Sequence, residues 1–375
     1  MSETTPPGWL DRNWKYVAAA LAVVGWGVSV YQAVRRGEPI PPPPLIQPAE
    51  ASAAELKPGE IGATGWVKDL DAVDAVVRGS EIPRFSDTPA GKASLGDDDV
   101  FLWQGVRKVN NRGPPWYPNI NQGSVGCCVG AGTKHAVDVC LAMQVLSGRA
   151  EEWKPVSAEV IYGGSRVEVG GGRIRGDGSV GVWAYKWVKD YGVVPMEKVG
   201  NLDLTTFSPA RARELGRSGI PADVEAVAKL HPVKAAAMVH SWADVKRAIQ
   251  QGYPVTVCSD QGFSMTRDRD GFARASGTWM HCMSIIGVRS GAREGGFILN
   301  SWGDQAHSGP VFPEDAPVAG FWAESRTIDA MVRQGDSFAL SDATGFPSRR
   351  APLDWFIRHD RRQPLGIRPE FALAP

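Results

Sequence analysis

The chain has 375 residues, 43% of them hydrophobic and 22% charged, which places it among globular proteins and is too long for one minimal domain. Lys and Arg total 41, as do Asp and Glu, so nothing in the net charge asks for nucleic acid or an anionic surface as a partner. The five cysteines are sparse and odd in number, with no disulfide or zinc spacing; free thiols are expected, and a structural metal site is not.

A short tail, 1–15, precedes the first predicted element. Residues 16–34, YVAAALAVVGWGVSVYQAV, carry no charge. A helix over them would span roughly 28 Å, close to the hydrocarbon thickness of a bilayer. Trp14, Tyr16 and Tyr31 sit where interfacial rings are favoured, and Arg35-Arg36 follows directly. A cleaved signal peptide would end on small residues instead. The stretch is therefore expected to be a single transmembrane helix, with the lipid bilayer as a partner. The flanking charges nearly balance, so its orientation stays open.

Residues 35–60 form a Pro-rich linker. Pro41 to Pro44 favour a stiff polyproline II rod that holds the folded part away from the membrane. Residues 61–98 form an extension in which Leu70, Val73, Val76 and Val77 suggest a short amphipathic turn packing on the main domain. Val100 to Trp103 reads as a short strand.

Helices are predicted over Thr133 to Leu146, Trp183 to Tyr191 and Trp242 to Gln251, the last two closed by glycine. The period then changes: Pro254 to Cys258, Met280 to Val288 and Gly296 to Leu299 are short, apolar and β-branched, as strands are. Helices first and strands later predict an α+β chain of two subdomains with a cleft between them. The last segment, 336–375, is basic, with Arg349, Arg350, Arg358, Arg361, Arg362 and Arg368 expected to be solvated.

Chemistry concentrates in three places. In Asn121-Gln122-Gly123-Ser124-Val125-Gly126-Cys127-Cys128, glycines precede a helix start. A thiol there sits at the positive end of the helix dipole, which favours thiolate. A backbone N–H and the Gln122 amide could both donate to an oxyanion. A thiolate needs a histidine partner. Of six histidines, His281 opens an apolar strand, and Asn300 follows it in Asn300-Ser301-Trp302-Gly303. An asparagine can fix the imidazole tautomer, and Trp302 could shield that bond from water. His135 reads as packed or exposed; His231, His240, His307 and His359 show no partner in the sequence.

These segments resemble the signatures of the papain family of cysteine peptidases, over about residues 99–335. The order Cys, His, Asn matches, and the Cys128–His281 separation is near the roughly 130–150 residues expected. The resemblance implies a papain-like fold with a helical half and an antiparallel, barrel-like half. It implies Cys128 as nucleophile, His281 as base, Asn300 as its orienter and Gln122 as oxyanion donor, acting on a peptide or protein substrate without a cofactor. Gly178 and Ser179 resemble the loop that pairs with substrate backbone. By the same analogy Cys258 would line a substrate pocket, with core packing as its alternative, and Trp302 would border the cleft.

The chain departs from the family at Val129, where an aromatic is usual, at Cys127 and at Val125. Val129 motivates a second expectation, a non-catalytic module using the same cleft to hold a peptide. Transfer of the acyl group to an amine is a third. Residues 61–98 are too short for the family's long helical propeptide, and no inhibitory role is expected of them.

Overall fold

In the computed structural model the described residues are 63–110, 117, 119–150, 152–342, 344–349 and 351. The expected membrane span, the linker and most of the basic tail lie outside them. Among the described residues no helix is long and apolar enough to cross a membrane, and no group of three or more His, Cys, Asp or Glu could hold a metal ion.

The helical half is built around the helix Cys128–Leu146. It begins earlier than the periodicity at Thr133 suggested, because Val129-Gly130-Ala131-Gly132 is helical while buried on every side. Small residues carry no apolar stripe, yet they let other backbones approach. A Cβ on Gly130 would stand 2.6 Å from the Ala158 carbonyl oxygen, and one on Gly132 would stand 3.0 Å from Cys282 Sγ. The helices Ala158–Gly164 and Gly181–Asp190 pack beside it.

The extension supplies a true helix, Leu70–Gly79, capped by Asp69, whose Oδ1 accepts from the Ala72 N–H at 2.9 Å. Val73 buries against the helical core, with Val76 and Val77 packed at its edge.

The other half is a sheet. Its strands are β1 (Val100–Phe101), β4 (Ala235–Met238), β5 (Val255–Arg267), β6 (Ala273–Arg289), β7 (Gly295–Leu299), β8 (Gly320–Glu324) and β9 (Asp336–Ser341); β2 (Lys198–Val199) and β3 (Leu202–Asp203) pair apart as a small ribbon. The order is β4-β9-β5-β6-β7-β8, with β1 also on β6, and every pairing is antiparallel. Two large buried clusters result, one under the sheet around Trp103, Phe297 and Trp322, the other in the helical half around Trp183 and Trp187. This is the α+β, two-subdomain arrangement expected.

Two expectations need correction. The strand at Val100 ends at Phe101, and Trp103 opens the helix Trp103–Val109, its indole stacked 4.7 Å from the Phe101 ring. The domain also runs past residue 335. Strand β9 lies inside the sheet, between β4 and β5, and Phe346 and Ala351 bury in the sheet core. Arg349 is not a solvated tail residue: its guanidinium pairs with Asp342 at 2.8 Å and lies 4.2 Å from the Tyr253 ring centroid.

Candidate active site

Cys128 is the first residue of its helix and is fully buried. Burial raises its thiol well above the ordinary value, with Cys282 adding to the effect, while backbone N–H groups of Cys282, Gly65 and Val129 oppose it. The sulfur therefore faces the residue next to His281. Cys127 packs apart from it, with Val125, Tyr162 and Ala212.

His281 projects from β6, where alternation sends Cys282 to the opposite face. His281 Nε2 lies 2.9 Å from Asn300 Oδ1, and that oxygen also accepts the Ser301 N–H at 2.7 Å. The Ser301 donor identifies the oxygen, so His281 Nε2 carries the proton. Among the described residues its Nδ1 has no hydrogen-bond partner. Burial lowers this imidazole to about 4, with the Asn300 bond acting upward. Thiol and imidazole are thus both neutral at pH 7 in this closed arrangement. Trp302 lies against the imidazole, its ring 4.6 Å from that of His281.

Gln122 is tied to the third motif: its backbone N–H donates to the Ser301 carbonyl at 2.9 Å, and Ser301 Oγ donates to Gln122 Oε1. The Gln122 side-chain amide donates to the carbonyls of Ala63, at 2.7 Å, and Val125, at 2.8 Å. Trp302 Nε1 donates to the same Ala63 oxygen at 3.1 Å.

Ala63 belongs to a strap that sequence reasoning missed. Residues 63–67 run through the cleft as an extended segment. Gly65 N and Trp66 N both donate to the Met280 carbonyl at 2.9 Å. Ser179 N donates to the Gly65 carbonyl, and Val67 N to the Ser179 carbonyl, each at 2.9 Å. Gly178, at φ +113°, leaves room for this: a Cβ there would stand 2.9 Å from the Gly65 oxygen. A Cβ on Gly65 itself would stand 2.0 Å from the Gly126 oxygen, so only glycine fits over the helix start. The extension expected to pack on the main domain thus reaches the predicted site residues, where residues 63–67 satisfy backbone donors and acceptors.

Trp66 drops from the strap into the interior, 2% exposed, and its Nε1 donates to Asp336 Oδ2 at 2.8 Å. Cys258 is buried here, opposite Cys282 across the β5–β6 ladder. A Cβ on Gly181 would meet both Cys258 Sγ, at 2.6 Å, and the Asp336 carboxylate, at 2.7 Å, so the three line one recess. Two polar groups gave no local signal, Asp336 and His307. His307 is buried, and its Nε2 lies 3.1 Å from Asn300 Nδ2. His135 is packed 6.0 Å from the Tyr117 ring and joins none of this.

No family profile and no curated protein matches the chain in sequence. Solved structures match its fold. Xylellain, a cysteine protease from Xylella fastidiosa, is similar with a TM-score of 0.51 at 16% identity, over 75% of this chain and 96% of that one. Digestive procathepsin L2 proteinase from Tenebrio molitor gives 0.46 at 13% over 91% and 95%, and the bromelain protease from Ananas comosus gives 0.41 at 13% over 65% and 98%. The fold is that of the papain-like cysteine proteases.

Proposed function

We propose that the chain is a cysteine peptidase, anchored to a membrane by residues 16–34, which hydrolyses peptide bonds and is held latent by residues 63–67. One observation supports this above the rest: an extended peptide, the chain's own, lies in the cleft with its backbone bonded to Gln122, Trp302, Met280 and Ser179.

In the open cleft Cys128 would attack the substrate carbonyl as thiolate, with the Gln122 amide and the Cys128 N–H receiving the oxyanion. His281, oriented by Asn300, would protonate the leaving amine and then activate water for deacylation. The strap escapes this chemistry because it presents the Gly65 N–H to the sulfur. The carbonyl gripped by Gln122 belongs to Ala63, and the Thr64 carbonyl points at Gly126. Opening the cleft would also rehydrate both partners and remove the burial that keeps them neutral.

The test uses the full chain. Gly65→Ala places a methyl against the Gly126 carbonyl and should expel the strap. It is expected to raise both peptide turnover and labelling by a thiol-directed epoxide at least about tenfold over wild type. Adding Cys128→Ala should abolish both. Labelling that persists on another cysteine would refute the assignment. Saturable peptide binding without turnover would favour the non-catalytic reading that Val129 suggests.

A further inference from the structure

Of the five cysteines, Cys128, Cys258 and Cys282 share one buried cluster, all as free thiols. Gly132 stands one helical turn beyond Cys128, on the same face of the helix. Cys282 takes the space that its missing side chain leaves: a Cβ on Gly132 would stand 3.0 Å from Cys282 Sγ. A larger residue at 132 would push that sulfur away from the turn that carries Cys128. The Cys282 backbone N–H also reaches the Cys128 thiol.

Cys258 completes the row. It is the register partner of Cys282 across the β5–β6 ladder, and directly opposed residues send their side chains to one face. Cα atoms so paired lie about 4.5–5.5 Å apart, inside the roughly 4.4–6.8 Å that a disulfide spans. Burial pushes the Cys258 thiol up, and the adjoining Cys282 thiol adds to the rise, followed by Asp336 and Cys128. Cysteine is a frequent small core residue, and one buried thiol would carry no meaning. Three in line, the first at a helix start, make a path along which a sulfur–sulfur bond can be handed on.

We propose that Cys282 and Cys258 are a resolving pair for Cys128, and that the three form a site of reversible oxidation by peroxide. This rests on the reading of Cys128 as the reactive thiol of a cleft that opens. In the closed chain peroxide meets no thiolate. With the strap withdrawn, the Cys128 thiolate attacks one peroxide oxygen. The O–O bond breaks, hydroxide leaves and takes up a proton to become water, and Cys128 is left as a sulfenic acid. The Cys282 sulfur then attacks the Cys128 sulfur; the S–O bond breaks, and the departing hydroxide leaves as a second water with the Cys282 proton. Cys258 attacks Cys282 in turn and releases its proton. The bridge moves to Cys258–Cys282, and Cys128 departs as thiolate. One peroxide becomes two waters, two thiols become one disulfide, and Cys128 returns reduced, spared the irreversible sulfinic and sulfonic states.

Full-length Gly65→Ala protein is treated with one equivalent of hydrogen peroxide, quenched with a thiol alkylator and digested without reduction for mass spectrometry. The main oxidised form should carry a Cys258–Cys282 bridge with Cys128 alkylated. In the same background Cys258→Ala should halt the exchange and trap a Cys128–Cys282 bridge. Cys282→Ala should leave no bridge and raise the sulfinic fraction at Cys128 at least about fivefold in excess peroxide. Absence of any bridge at Cys282, or equal over-oxidation of Cys128 with and without that thiol, overturns the proposal. If a variant does not fold, the bridge found in the Gly65→Ala parent decides. Labelling of an untreated sample by a thiol-directed epoxide separates two failures. Cys128 labelled but never bridged removes the resolving pair alone; Cys128 unlabelled overturns the reading of the reactive thiol beneath it as well.

Discussion

His307 shares Asn300 with His281. Asn300 Oδ1 faces His281 Nε2 and the Ser301 N–H, so Nδ2 must be the donor to His307 Nε2, and His307 carries its proton on Nδ1. A neutral imidazole is required for this, and burial provides it, lowering His307 to about 3 with Arg267 and His281 acting in the same sense. His307 is thus a positioning residue that pins the asparagine amide from behind. For the peptidase proposed above, with the strap displaced by Gly65→Ala, His307→Leu should lower kcat/KM by roughly tenfold, mostly in kcat, and His307→Gln should recover part of the loss. The nitrogen NMR shifts of His281 should move toward mixed tautomers in the leucine variant only. Unchanged shifts and rates would remove this role.

Gln122, Cys128, His281 and Asn300 could be singled out as candidates because each sits in a short motif at a turn, helix start or strand. His307 and Asp336 have no such neighbourhood. Their partners come from distant segments, as when Trp66 bonds Asp336 across the whole domain, and no pattern of residue types encodes that meeting.

Among the elements, the nucleophile's helix shows why sequence period can mislead. Gly130 and Gly132 are poor helix formers, and their lack of a stripe hid the helix start. Their purpose lies in packing. A Cβ on Gly130 would press on the Ala158 carbonyl and, at 2.7 Å, on Tyr162 Cβ; both belong to a neighbouring helix with nowhere to move. Helix propensity favours Gly130→Ala by about 1 kcal/mol, and overpacking opposes it by roughly 1–3 kcal/mol. Overpacking should win, because the clash is with backbone. Gly130→Ala is expected to destabilise by about 1–2 kcal/mol in denaturant melts, while Gly148→Ala, at φ +66° with nothing near its Cβ, tests strain alone. A neutral or stabilising Gly130→Ala would show that the two helices are free to part. The strap is the opposite case: its pairing surface is backbone, so its composition gave no warning that it lies in the cleft.

For the molecule as a whole, the buried site couples stability to pH. Burial holds His281 at about 4 and His307 at about 3, and it lowers His135 as well. Unfolding returns each to near 6.5, so the unfolded chain binds more protons below that value and stability falls as the pH drops from about 6.5 toward 4. Asp336 opposes this. Raised to about 6, it holds a proton in the folded state that the unfolded chain lacks, so its own effect weakens the fold as pH rises from about 4 to 6. The histidines outnumber it. The net slope should be at least about one proton, roughly 1.4 kcal/mol per pH unit, toward lower stability in acid. Urea midpoints measured from pH 7 to 4.5 should fall; a flat or rising series would contradict the buried, neutral histidines.

Strand β9 closes the sheet from within, seated between two strands that precede it by many residues. On a ribosome, β4 and β5 would emerge long before the strand that joins them, and Asp336 arrives on that same late strand. A nascent chain could therefore display its thiol-bearing helix while lacking both the mortar of the sheet and the acidic floor of its recess. Premature termination anywhere before Asp336 would yield a fragment with two unzipped edges, those of β4 and β5, where a paired sheet should be.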